Sequence, residues 1–145
     1  MATKKELPRF MNLQKAVDYV LWHNFMSRTS NSSPLGVVQS CHGDYLVVAR
    51  GHPSFEDQEF EALPDTYSSM DYTKIASIKM QQDSLEHWNG LSGMLQNAQG
   101  ELLRFILEKQ VPIEKWIRYE LACRGYNKNC QWVGFNKAKE IWLVD

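Results

Sequence analysis

The densest collection of reactive side chains in this sequence is Cys41-His42-Gly43-Asp44, with His52 a short way downstream. A thiol, an imidazole and a carboxylate are the types needed for a nucleophile, its base and the group that orients the base. Their spacing works against that use, because adjacent residues on a strand point to opposite faces. Cys41 and His42 therefore meet only if the turn bends sharply, and His52 joins them only if the following loop folds back. A small hydrolase or transferase built on Cys41, His42, Asp44 and His52 is the alternative reading. The simpler one is a hairpin turn in which Asp44 and Gly43 satisfy the turn geometry.

The four histidines, His23, His42, His52 and His87, form no H-x-x-x-H pair, and Cys123 and Cys130 belong to no C-x-x-C motif. Neither a metal nor a cofactor is expected. His23 borders an apolar stripe and is expected to bond a backbone carbonyl. The phosphate-binding glycine loops, the nucleophile elbow and the zinc-protease helix motif are all missing, which points away from the commonest catalytic routes.

Charge is unevenly distributed. The formal net charge is −1, yet residues 1–40 carry +3, residues 41–100 carry −6 and residues 101–145 carry +2. Within the acidic middle, Glu56, Asp57, Glu59, Glu61, Asp65 and Asp71 alternate with Phe55, Phe60, Tyr67 and Tyr72. Carboxylates steer a basic partner and aromatic rings anchor it, so this segment is read as a protein-binding surface, the alternative being that Phe55 and Phe60 face the core of a short helix whose carboxylates form its solvated face. The reading that follows is a non-catalytic inhibitor, immunity-type or regulatory protein that meets a basic protein partner.

A nucleic-acid alternative rests on Arg118, Arg124, Lys128, Lys137 and Lys139. Glu114, Glu120 and Glu140 share those segments, and a DNA reader normally shows a cleaner basic face. The outline of two helices near the C-terminus resembles a helix-turn-helix only loosely, since their connection is much longer than a 3–4-residue turn.

These groups need elements to hold them. At 145 residues with 43% hydrophobic and 23% charged residues, the chain has the size and composition of one ordinary globular domain. Phe10, Leu13, Val17, Val20 and Leu21 recur at helical spacing and predict a helix from Phe10 to Met26, ended by the polar run at residues 28–34. Trp22 falls on a different side of that helix, which then is either covered twice or leaves an aromatic exposed. Leu35–Cys41 and Tyr45–Arg50 predict a β-hairpin around Gly43, with Val47 and Val48 on opposite faces. A hairpin is marginal alone, and Lys74–Met80 is one source of a third strand.

Ser54 is a fitting N-cap for a short helix to Leu63. Further helices are expected over Asp83–Asn97, over Glu101–Gln110, after Pro112 with Ile113, Trp116, Ile117 and Leu121 inward, and after Asn136 as a cap. Trp116, Trp132 and Trp142 are expected in the core. The fold class is α+β: a single helix-rich domain, 1–145, with a β-hairpin or small antiparallel sheet packed on helices. No window approaches the length of apolar chain needed to span a membrane, and the N-terminus carries no apolar secretory segment. With three cysteines in no framework spacing, the expected compartment is the cytoplasm.

Overall fold

The computed structural model describes residues 7–51 and 58–144. Six helices and a three-stranded antiparallel sheet are present among them, an α+β arrangement in which helix predominates. The chain divides into two compact units, residues 1–92 and 93–145.

In the first unit, β1 (Arg9–Phe10) leads into α1 (Leu13–Met26), followed by the hairpin strands β2 (Leu35–Gln39) and β3 (Tyr45–Ala49). α2 (Tyr72–Lys79) comes next, and α3 (Glu86–Asn97) contributes its first two turns. The helix starts later than the apolar stripe suggests, because Asn12 caps it: its side-chain oxygen accepts from the Lys15 backbone N–H at 3.3 Å. Phe10 is thereby released into β1, pairing with Tyr45, and this two-residue strand completes the sheet. Lys74–Met80 does not supply the third strand. Asp71 accepts from the Lys74 backbone N–H at 2.9 Å and nucleates α2 over that segment instead.

The hairpin forms antiparallel around Gly43 as expected, with Val37 opposite Val47 and Gly43 at φ +86° in the turn. Leu35, Val37 and Val47 pack on Ala16, Val17 and Val20 of α1 to make the core. The strand order is β1-β3-β2, so β2 is an edge. Its outer groups are covered in two places. Asn24 bonds both the N–H and the C=O of Leu35, at 2.8 and 3.1 Å, and the Glu61 N–H donates to the Val37 carbonyl at 2.8 Å.

That last bond belongs to extended backbone. The expected helix from Ser54 to Leu63 is not formed over its described part, residues 58–63. Phe60 instead lies against the opposite sheet face at Gly36, where a Cβ would come within 2.5 Å of the ring. The Arg50 stem also lies beside Gly36, and its guanidinium sits over the Phe60 ring, 5.4 Å from the ring centre.

The second unit holds α4 (Gly100–Glu108), α5 (Ile113–Cys123) and α6 (Phe135–Trp142). α5 and α6 pack together with Ala122 and Ala138 buried. Gly125, at φ +72°, ends α5 as expected and lies under Trp132. The Trp142 indole donates to the Tyr126 carbonyl at 2.7 Å. Two expectations fail here. Gly134, at φ +89°, caps α6, and Asn136 is inside the helix. Trp116 and Trp132 are 66% and 70% exposed, and Ile113 and Ile117 are exposed as well, because small residues fill the α5–α6 contact and leave the large ones outside it. Among the described residues no helix is long and apolar enough to cross a membrane.

Candidate functional site

The most elaborate polar arrangement in the first unit centres on Asp18, which is 1% exposed on the inner face of α1. The Tyr67 hydroxyl donates to its carboxylate at 3.0 Å, and the Lys74 ammonium lies 3.9 Å away while also sitting 5.2 Å over the Tyr67 ring. A buried carboxylate needs such partners, since an isolated charge out of water is costly. Burial, and then the negative charge of Asp18, push the Tyr67 hydroxyl well above its ordinary pKa. The phenol therefore stays protonated and remains a donor.

Beside this group the rings of α1 and α3 stack. Trp22 is nearly parallel to His87 at 4.9 Å, and Phe25 follows Trp22 at 6.2 Å. Trp88 meets His87 at 4.6 Å and Tyr67 edge-on at 5.2 Å. His87 thus covers Trp22 on the second side of α1, and Phe25 stays exposed there. Both ring nitrogens of His87 and the Trp88 indole nitrogen are buried without a hydrogen-bond partner. Burial pulls the His87 pKa below its ordinary value, outweighing the upward pull of Asp18 and Glu86.

A cleft of about 320 Å³ opens here, between Leu21, Trp22 and Phe25 of α1, the loop from Pro64 to Tyr67, and His87. Its walls are mostly apolar, and Asp65 and Thr66 supply polar groups, the composition typical of a recognition cleft. Periodicity alone did not find this site. The available signal was Asp18 itself, an acidic residue next to the apolar positions Val17 and Val20 of α1.

The acidic segment leads into this cleft. Phe55, Glu56, Asp57 and His52 lie outside the described residues. Glu59 and Asp65 are exposed, and Glu61 is half-buried with its backbone tied to β2. Tyr67 is committed to Asp18, Asp71 caps α2, and Tyr72 is 89% exposed.

At the hairpin turn, Cys41 and His42 are exposed. Asp44 accepts from the Ser40 hydroxyl and pairs with Arg9 at 3.8 Å. The Ser40 bond, more than the Arg9 charge, holds the carboxyl below its ordinary pKa. These contacts close the turn, and among the described residues His42 and Asp44 share no hydrogen bond. His23 stacks on Tyr19 at 6.2 Å, and its Nδ1 is buried without the expected carbonyl partner. No described cluster of His, Cys, Asp or Glu is placed to hold a metal ion.

In the second unit, Arg118 pairs with Glu114 on α5 at 3.2 Å, and Arg124, the C-cap of that helix, pairs with Glu120 at 3.1 Å. Arg118 also donates to the Trp142 carbonyl. Lys137 and Lys139 are exposed on α6, and Lys128 is exposed in the preceding turn.

Comparison with known families, curated proteins and solved structures finds no match.

Proposed function

We propose that the protein is a non-catalytic binding protein, of inhibitor, immunity or regulatory type, that presents the acidic and aromatic segment after β3 to a basic protein partner. The observation carrying this reading is how residues 58–73 are held. They contain Glu59, Glu61, Asp65 and Asp71 and no Lys or Arg. Little of this stretch is helical and none of it is strand, yet it is fixed at Glu61 to β2, at Tyr67 to α1 and at Asp71 to the start of α2. An irregular segment held at several points is pre-organised, which lowers the ordering cost of association. Exposed Glu59 and Asp65 supply the steering field, and the ring of Tyr72 is available as contact surface.

The test is the association rate with a partner recovered by affinity capture, measured at two salt concentrations. Glu59→Lys combined with Asp65→Lys is expected to slow association and to flatten its salt dependence. Unchanged on-rates, with binding lost instead in Lys137→Glu or Lys139→Glu, would move the site to the second unit and favour the nucleic-acid alternative.

A further inference from the structure

The cleft beside Tyr67 has a shape and lining more specific than an acidic surface requires. We propose that it is an anchor pocket for one uncharged aromatic side chain, tryptophan above all, carried by a partner segment with Lys or Arg on either side. This rests on the binding reading above and adds the chemistry of the anchor.

Three observations select that occupant. The walls are aromatic, and Phe25, 56% exposed at the mouth, continues the nearly parallel series of rings formed by Trp22 and His87. A planar ring is the guest that best complements such walls and the flat edge of Pro64. A cationic guest is disfavoured, because the chain's own cations already lie against two of the lining rings. The Arg28 guanidinium lies 4.3 Å over Phe25, and the Lys74 ammonium lies over Tyr67. Positive charge on the guest therefore belongs outside the pocket, where Asp65 stands at the rim and Glu59 lies on the same segment. Burial lowers the His87 pKa, which disfavours an opposing charge in the wall.

The experiment uses the full chain labelled with ¹⁵N and three blocked tripeptides, Lys-Trp-Lys, Lys-Ala-Lys and Glu-Trp-Glu, followed by NMR. Lys-Trp-Lys is expected to shift the Trp22 indole and the Asp65 and Thr66 amides saturably, and Phe25→Ala to weaken this about fivefold while Phe25→Tyr leaves it nearly intact. Lys-Ala-Lys should perturb only the acidic segment, and Glu-Trp-Glu should bind markedly more weakly than Lys-Trp-Lys. If both lysine peptides shift Glu59 and Asp65 alike and neither moves the Trp22 indole, the anchor pocket is overturned while the acidic surface stands. Equal binding of Glu-Trp-Glu, or full binding by Phe25→Ala, also overturns it. No shift with any peptide would remove both readings.

Discussion

The hydroxyl of Tyr67 donates to the carboxylate of Asp18 across 49 residues of chain, joining an irregular loop to the buried face of the first helix. Because this bond positions the cleft loop, its removal separates stability from recognition. Tyr67→Phe is expected to lower unfolding free energy by about 1–3 kcal/mol, the cost of leaving a buried charged acceptor short of a donor. Urea unfolding checks it through a lower midpoint at unchanged slope. Adding Lys74→Met should cost more than the two single changes together, since Asp18 then loses both partners.

Gly36→Ala is expected to destabilise by about 1–3 kcal/mol, because its Cβ would lie 2.5 Å from Phe60 and 2.7 Å from the Arg50 stem. Phe60→Ala in the same chain removes the ring that is struck. In the double variant, thermal unfolding should show a smaller loss than the sum of the two single changes.

The lowered pKa of His87 carries a definite sign. A histidine that binds its proton less readily when folded than when unfolded contributes stability at neutral pH that is lost as pH falls below the unfolded value of about 6.5. Asp18 and Glu86 pull against this shift, and Lys74 is the cation that faces Asp18. The unfolding midpoint should therefore fall between pH 7.5 and pH 5.5, and His87→Phe, which cannot titrate, should reduce that slope. An identical pH profile in the variant would contradict the assignment.

In the second unit, two backbone positions with positive φ should respond in opposite directions. Gln110, at φ +52° just beyond α4, bears a strain that glycine relieves, so Gln110→Gly is expected to raise stability by about 0.5 kcal/mol. Gly125→Ala, at φ +72° with Trp132 3.0 Å from the added Cβ, should lower it by about 1–2 kcal/mol. Calorimetric midpoints of the two variants decide both.

Much of the architecture was legible as local pattern. The β-branched runs around Gly43 determine the hairpin, the recurring apolar residues of α1 determine which face meets the sheet, and Gly125 marks the end of α5. These features depend on near neighbours in the chain, for which periodicity and turn chemistry suffice. The acidic character of residues 58–73 is likewise a property of the sequence alone.

Only the tertiary structure decided the rest, because it depended on pairings between distant residues. Asn12 and Asp71 set helix starts that the apolar pattern placed elsewhere or read as strand, and Phe60 became a sheet-covering residue because Gly36 left room for its ring. The large aromatics of α5 and its following turn look like core by composition, yet alanines make that helix contact and leave them outside. Asp18, Tyr67, Lys74 and His87 come from four separate segments, and no spacing within any one of them specifies a cleft. The site exists because a carboxylate buried by α1 had to find its donor and its cation in chain about fifty residues away.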